Sequence, residues 1–266
     1  MFDRRPAVAG MFYPADPENL KSCIEQYLQE ARLVKNQSVE KRAKAIIVPH
    51  AGYIYSGPVA ASAFVQLKEI KDSIQRVVLL GPSHRVPLLG LASSSADRFI
   101  TPLGAIEIDK PAVEIITRLP QVHLMDEAHS LEHSLEVQLP FLQQCLASFK
   151  LIPLVVGDAS STDVAEVLNL LWGGPETLIV ISSDLSHYHD YKQAHMMDER
   201  TAQAIEKFAE EEIDFDDACG RNPVKGLLQA AVKHGLDITR LDLRNSGDTA
   251  GNKDQVVGYG AWLLNE

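Results

Sequence analysis

Two histidines each follow a short apolar run that ends in a proline-containing turn. The first run is Ile46-Ile47-Val48-Pro49-His50, and the second is Val77 to Leu80 followed by Gly81-Pro82-Ser83-His84. Proline fixes the backbone there and leaves the imidazole projecting from the strand end. Neutral imidazole is the commonest metal ligand, so His50 and His84 are predicted to bind iron or zinc. The alternative is that each histidine only caps a helix or bonds a loop carbonyl.

A third apolar run, Leu178 to Ile181, leads into Ser182-Ser183-Asp184-Leu185-Ser186-His187. Asp184 and His187 are three residues apart, a spacing that puts both on one face if the chain turns helical after Ser183. The Asp184 carboxylate could orient an imidazole or join a metal, and His187 could act as general acid or base. Asp184 is also a good helix N-cap, which would be a purely structural role.

The segment His129-Ser130-Leu131-Glu132-His133 matches H-x-x-E-H, the inverted zincin pattern. On one helix, His129 and His133 would both face a zinc ion, and Glu132 would be the general base of a metalloprotease. That interpretation needs a third ligand from a later helix. In the other interpretation Glu132, His133 and Glu136 face the crevice of the strand-end histidines, which makes His133 a further candidate catalytic residue.

The turn-rich segment from Arg244 to Asp254 contains two more acidic candidates. Asp248 or Asp254 could supply the carboxylate of a site made of two histidines and one carboxylate, an arrangement typical of non-haem iron. An aspartate in a glycine turn is otherwise a turn former.

Short apolar runs alternate with longer amphipathic stretches, which predicts an α/β fold with a central, mostly parallel or mixed sheet flanked by helices. Ligands of such sheets bind beyond the carboxyl ends of the strands, where the three polar clusters would meet if their strands are neighbours. An irregular hairpin is predicted over Leu88 to Ile108, with its bend at Pro102-Leu103-Gly104. The predicted strands are Ala45–Val48, Arg76–Leu80, Leu151–Val156, Leu178–Ser182, Ile238–Arg244 and Gln255–Leu264. The predicted helices are Leu20–Leu33, Pro58–Ile70, Ala112–Leu119, Leu135–Phe149, Ser161–Trp172, Asp198–Glu210 and Val224–His234.

Composition excludes several classes of protein. The 266 residues carry 25 Lys and Arg against 36 Asp and Glu, a net charge of −11, which disfavours binding to nucleic acid or to anionic lipid. No signal peptide or membrane span is indicated, and no linker interrupts the chain, so we expect a cytoplasmic protein with one domain over residues 1–266. The three cysteines, Cys23, Cys145 and Cys219, form no C-x-x-C pair, so neither a disulfide framework nor a zinc knuckle is predicted.

Taken in order, the motifs resemble those of the Memo family, whose prokaryotic members are called AmmeMemoRadiSam system protein B. The resemblance covers essentially the whole chain. Its residues are Arg5 to Pro14, Pro49 to Tyr53, Ser56-Gly57, Gly81 to His84, Pro102 to Gly104, Glu132 to Leu142, Ser182 to His187, Ser246 to Asp248 and Val256 to Tyr259.

The resemblance implies a fold similar to that of the class III extradiol dioxygenases, which are non-haem iron enzymes. It implies that His50 and His84 are metal ligands, with Asp184 and His187 beside them. The animal family member has a cysteine ligand before its last strand, where this sequence has Asp248 and Thr249. Because the three cysteines lie elsewhere, we expect a metal site built from histidine and aspartate, with Asp248 as the third ligand.

Two functions follow as expectations. The first is a metal-dependent oxidoreductase of dioxygenase type, with Fe(II) expected and copper or zinc as alternatives, acting on an unknown small molecule or peptide. The second is a module that binds a peptide or small anion in the same crevice without turnover. The prokaryotic family name also implies a functional link to AMMECR1-like and radical SAM proteins, which suggests a modification pathway.

Overall fold

Twelve strands are present in the computed structural model, which describes residues 2–34 and 42–266. All six predicted strands are confirmed, most of them one to three residues longer than predicted. The strands are β1 (Asp3–Arg4), β2 (Ala43–Val48), β3 (Arg76–Pro82), β4 (Leu91–Ser93), β5 (Arg98–Thr101), β6 (Gly104–Glu107), β7 (Val122–Leu124), β8 (Lys150–Val156), β9 (Thr177–Ser182), β10 (His187–His189), β11 (Asp237–Asn245) and β12 (Val256–Asn265).

Eight α-helices lie within the same described residues: α1 (Pro17–Val34), α2 (Tyr53–Phe64), α3 (Lys110–Ile116), α4 (Asp126–Ser130), α5 (Leu139–Cys145), α6 (Ser161–Leu171), α7 (Tyr191–Glu206) and α8 (Arg221–His234). The predicted helix Leu135–Phe149 is shorter, because the chain makes a 3₁₀ turn over Glu136–Gln138 and Pro140 lies in the first turn of α5. The predicted helix Asp198–Glu210 starts earlier, because the Asp190 side chain caps α7.

The main sheet is mixed, as predicted. Its described strands run in the order β10-β12-β2-β9-β3-β8-β4-β7. Strand β11 lies off this path and pairs with β12. Strands β2, β9, β3 and β8 are parallel to one another, whereas β12 is antiparallel to β2. Val48 pairs with Ser182, and Leu80 pairs with Ile181. The carboxyl ends of β2 and β3 therefore lie on either side of the end of β9.

Burial explains why these strands occupy the centre. Every residue of β2 and β9 is buried, as expected for strands covered on both faces. Helices α1, α2 and α5 pack against one another, with α2 on β2 and β12. Helix α8 packs on β3 and β9, and α6 packs on α8. Nearly all of the described buried apolar residues of these elements belong to one core. The buried core therefore fixes the positions of the strand ends and of the side chains that follow them.

The predicted irregular hairpin is present as β5 and β6, which turn at Pro102 and Leu103 and join β1 in a small three-stranded sheet. Gly104 has a φ of +123°, a conformation that favours glycine. None of the helices within the described ranges is both long and apolar enough to cross a membrane.

Candidate functional site

Three histidine rings meet beyond the carboxyl ends of β2 and β3. His50, His84 and His133 each offer one ring nitrogen, and these nitrogens all lie within 4.8 Å of one another. The ring centroids are 5.2 Å apart for His50 and His84, 5.4 Å for His50 and His133, and 4.6 Å for His84 and His133. The two strand-end histidines are brought together as the sequence indicated, and His133 joins them. We call these three residues the histidine cluster.

The ring of His50 is held in one orientation by Ser182 at the end of β9. The Ser182 hydroxyl donates to the Ser134 carbonyl at 2.6 Å, so its oxygen accepts from His50 Nδ1 at 2.9 Å and from Gln138 Nε2 at 2.8 Å. His50 Nδ1 therefore carries the hydrogen, and the lone pair lies on Nε2. The free lone pair is the one that a metal would use.

Glu132 fixes His84 and His133 in the same way that Ser182 fixes His50, by accepting their hydrogen bonds. Its carboxylate accepts the His84 backbone N–H at 2.6 Å, His84 Nδ1 at 2.9 Å, and the backbone N–H groups of His133 and Ser134 at 2.9 Å each. Burial opposes its ionisation, but the hydrogen bonds and the charge of His84 lower the pKa of Glu132 to about 2. A carboxylate bonded to the outer nitrogen of a histidine is typical of protein metal sites, because it fixes the ring and strengthens the ligand.

The surroundings of the histidine cluster disfavour the charged forms of His50 and His133. Burial, together with the neighbouring rings, lowers the pKa of His50 well below its usual value and also lowers that of His133. Only the neutral imidazole can bind a metal. The Nδ1 of His133 is buried and has no hydrogen-bond partner among the described residues. The Phe12 ring packs against this imidazole, with 4.8 Å between the two ring centroids. The chemistry of this donor set suits zinc, iron or copper.

The loop that carries Glu132 and His133 is fixed by a buried ion pair between Arg4 and Glu136. Arg4 also donates to the carbonyls of His129, at 2.9 and 3.0 Å, and of Glu132, at 2.6 Å. The second oxygen of Glu136 accepts from the Tyr13 hydroxyl at 2.6 Å. The N-terminal segment thus holds the loop in place through Glu136, which is fully buried and has a structural role.

Gly81 lets this loop approach the end of β3. A β-carbon at Gly81 would lie 2.9 Å from Ser134 Oγ and 2.9 Å from Leu135 Cδ1, closer than side-chain contacts allow. Ser134 Oγ donates to the Pro82 carbonyl at 2.9 Å across the same gap. The glycine of the Gly81-Pro82-Ser83-His84 motif is therefore needed to bring His133 beside His84.

The inverted zincin interpretation does not match the local structure. Helix α4 ends at Ser130, so His129, Glu132 and His133 do not share a helix. His129 is buried, with Nε2 3.0 Å from the Ala92 carbonyl, and burial lowers its pKa to about 4. The histidine cluster does not include it.

Asp184 and His187 both lie near the histidine cluster but have different surroundings. Asp184 is buried, and its Oδ1 accepts the backbone N–H of His50 at 2.7 Å; burial raises its pKa. The chain does not turn helical after Ser183, because His187 begins β10 and pairs with Val257 of β12. The described hydrogen bonds of Asp184 do not include one to His187, so the predicted orienting bond is not formed.

The Asp248 carboxylate accepts hydrogen bonds from residues outside the histidine cluster. Its carboxylate accepts from the Tyr191 hydroxyl at 2.6 Å and from the Asn245 backbone N–H at 3.0 Å, which closes a capping box around a 3₁₀ turn. The cluster of potential ligands within 4.8 Å contains His133 and not Asp248.

Cys219 lies beside His50, a contact that the sequence analysis did not predict. Its Sγ is 3.4 Å from His50 Nε2, and it accepts the backbone N–H of Asp184 at 3.3 Å. Burial raises the pKa of this thiol above its usual value. The signal that could have located it is spatial, since 169 residues separate Cys219 from His50.

A cavity of about 900 Å³ borders the histidine cluster at His84. His84, His187 and Cys219 contribute to its lining, whereas His50 and His133 lie outside the lining. The Arg221 guanidinium lies 4.4 Å from the Phe215 ring centroid at the same cavity. The apolar lining includes Val86, Pro87, Leu88, Leu89, Val156, Phe215 and Pro223. The arrangement can therefore hold a partly apolar molecule against the cluster.

Comparison with known proteins identifies relatives over almost the whole chain. The family described as "Memo-like protein" matches residues 4–263. A MEMO1 family protein of Aquifex aeolicus is 40% identical over 268 residues, covering 96% of this chain and 97% of the relative. One from Sulfolobus acidocaldarius is 36% identical over 282 residues, with the same coverage. A solved structure of an uncharacterized protein from Escherichia coli K12 is 12% identical, with a TM-score of 0.48, over 82% of this chain and 99% of that one.

Proposed function

The chain belongs to the Memo family, and from this premise we propose that it is a non-haem metal protein whose ligands are His50, His84 and His133. The expected metal is Fe(II), with copper and zinc as competitors, and the expected chemistry is redox or oxygenase chemistry on a small molecule. One observation carries the proposal: three imidazoles converge, and the outer nitrogens of His50 and His84 are already bonded to Ser182 and Glu132. His133 takes the place that the sequence assigned to Asp248.

Bound Fe(II) would supply a redox-active Lewis acid beside the cavity. The chain's own residues do the rest. Apolar side chains of the cavity hold the body of the substrate and exclude water around the histidine cluster. His187 lines the same cavity, so its imidazole is placed to take a proton from a substrate hydroxyl and return it later. Asp184 fixes the His50 backbone, and Glu132 supplies the nearby negative charge that favours a cation.

The proposal is tested by loading metal-free protein with Fe(II) under anaerobic conditions and measuring bound metal after desalting. We expect wild type to retain a single equivalent, and His84→Ala and His133→Ala to retain much less, because each loses a ligand. His123→Ala is the matched control, since His123 is exposed on β7 outside the histidine cluster. If wild type and His84→Ala retain equal, substoichiometric metal, the proposed site is not there.

A second candidate function is supported by Arg221. Its guanidinium stacks on Phe215 in the lining of the cavity, and no carboxylate is paired with it among the described residues. Such a cation suits a module that binds a small anion or an acidic peptide without turnover. Titration with inorganic phosphate in the presence of EDTA separates the two functions. Binding that survives both chelation and His84→Ala, and is lost in Arg221→Gln, would favour the module.

A further inference from the structure

The cavity beside the histidine cluster contains charges of both signs. Besides its histidines, the lining has three side chains with a formal charge: Asp158, Asp216 and Arg221. We call these three residues the charged wall. Among the residues that the structure describes, none of the three side chains takes part in a hydrogen bond or an ion pair. Their charges are therefore available to a ligand in the cavity.

The strand order places the charged wall one strand beyond His84. Strand β8 pairs with β3 along its whole length, and neighbouring strands lie about 4.8 Å apart. Asp158 follows the end of β8. Asn222 Nδ2 donates to the Gly157 carbonyl at 2.8 Å, so the first turn of α8, which carries Arg221, lies against the same strand end. The charged wall thus lies on the β8 side of the cavity.

A ligand that covers the charged wall must supply partners of both signs. Burying an unpaired charge is costly, so a purely apolar ligand would be opposed by all three side chains. The Arg221 guanidinium suits a carboxylate, which it can bind through two parallel hydrogen bonds. No side chain caps α8, so its first turn favours the same negative charge. Asp158 and Asp216 suit an ammonium group, which has three donors and no acceptor.

The remaining lining suits an apolar or aromatic body. Leu88 and Val156 are apolar, and the Phe215 ring lies beside the Arg221 guanidinium. Such side chains hold a ligand by removing its apolar surface from water. His84 is the residue at which the cavity borders the histidine cluster. A ligand anchored on the charged wall would therefore extend its body toward His84.

We propose that the substrate belongs to the class of small α-amino acids with an apolar or aromatic side chain. Its carboxylate and ammonium groups bind the charged wall, and its side chain extends toward the histidine cluster. The inference rests on the proposed function and names the substrate class of the same site. One α-carbon carries both charges, which matches a wall that has both signs. A residue inside a peptide has neither backbone charge, so the charged wall favours the free molecule.

Three phenols that differ in their charged groups provide the test. L-tyrosine has both groups, tyramine has the ammonium alone, and 3-(4-hydroxyphenyl)propionate has the carboxylate alone. Each is titrated into Zn(II)-loaded protein, because zinc is not redox-active, and its dissociation constant is measured by ligand-observed NMR. We expect L-tyrosine to bind at least about 10-fold more tightly than either of the other two, since each of them loses hydrogen bonds to a charged group.

Variants of the charged wall assign each preference to its side chains. In Arg221→Gln, L-tyrosine should bind no more tightly than tyramine. In the double variant Asp158→Asn/Asp216→Asn, L-tyrosine should lose its advantage over 3-(4-hydroxyphenyl)propionate. Arg118→Gln is the matched control, because Arg118 lies outside the cavity and its side chain is 74% exposed. This control should keep the wild-type ranking of the three phenols.

Equal affinities of the three phenols, or a ranking that survives the charged-wall variants, would overturn the proposed substrate class. Absence of binding by all three phenols to protein that retains zinc would overturn it as well, and would leave the metal site intact. The titrations are repeated with metal-free protein, because the charged wall needs no metal. Failure to retain zinc together with the expected ranking would overturn the proposed metal function and support the charged wall as an amino-acid site.

Discussion

Two buried carboxylates lie behind different parts of the cavity lining, and they have opposite pKa shifts. Glu132 lies behind His84 and His133, and its pKa is lowered to about 2. Asp198 of α7 lies behind the segment that carries His187, and burial raises its pKa to about 6. Burial alone would raise both. The two side chains therefore show what else decides the charge of a buried acid.

The difference lies in the number of donors. Glu132 accepts four N–H groups, from His84, His133 and Ser134. The Asp198 carboxylate accepts the backbone N–H of Ser186 at 3.0 Å, and it packs so tightly on Gly258 that a β-carbon there would lie 2.1 Å from its Oδ2. The donors around Glu132 favour its charged form beside the histidine cluster, where the proposed cation would bind. The number of donors thus gives the two carboxylates opposite pKa shifts.

The largest effect is expected for Glu132→Ala in metal-free protein. Removing this carboxylate leaves up to four buried N–H groups without their acceptor, so the free energy of unfolding should fall by about 4 kcal/mol. Urea unfolding at constant pH measures the change. Glu127→Ala, an exposed glutamate of α4, is the control and should change stability by less than about 0.5 kcal/mol. Equal stabilities of the two variants would show that Glu132 does not organise the site.

Asp198→Asn should change the pH dependence of stability. Because the folded-state pKa of Asp198, about 6, lies above its ordinary value of 3.8, its contribution is fully present below about pH 4. That contribution is lost as pH rises to about 6. Wild type should therefore lose about 3 kcal/mol relative to Asp198→Asn across this interval. Unfolding curves of both proteins from pH 4 to 7 provide the measurement, and parallel pH profiles would contradict the assignment.

Glu132 should influence acid stability in the opposite sense. Its pKa is lowered to about 2 from 4.5, so its contribution to stability is present above about pH 4.5 and declines as pH falls toward 2. The stability difference between wild type and Glu132→Gln should accordingly shrink on acidification. A difference that grows as pH falls would reverse the comparison between the two carboxylates.

The smallest effect is expected for Asp248→Ala. Asp248 caps a 3₁₀ turn and accepts from Tyr191, so its loss should cost about 1 kcal/mol of stability. Bound Fe(II) should remain at the wild-type level. Loss of metal in a folded Asp248→Ala protein would place this carboxylate among the ligands after all.

The sequence was sufficient to predict the strands that carry His50 and His84. Both strands are apolar runs, and both end at a proline, so their local pattern identifies the strand and the exit of the chain. The polar clusters were expected to meet if their strands were neighbours, and β9 does pair with both β2 and β3. Local periodicity succeeds here because burial on both faces requires a nearly unbroken apolar run.

The remaining site residues depend on long-range contacts. His133 lies in a loop whose position is set by Arg4 and by the close approach of Gly81, which no local pattern encodes. Cys219 reaches His50 only through the packing of α8 against β9. Asp248 was a reasonable ligand by residue type, but its own turn and Tyr191 satisfy its carboxylate. Residue type indicates which groups can bind a metal, whereas their existing partners decide which are free to do so.

The central claim is most directly tested by locating the metal in crystals of protein loaded with Fe(II) under anaerobic conditions. An anomalous difference map identifies the ion without assumptions about its ligands. We predict one strong peak at about 2.0–2.1 Å from a ring nitrogen of each of His50, His84 and His133. A peak bound through Asp248, or an empty histidine cluster in fully loaded crystals, would contradict the account.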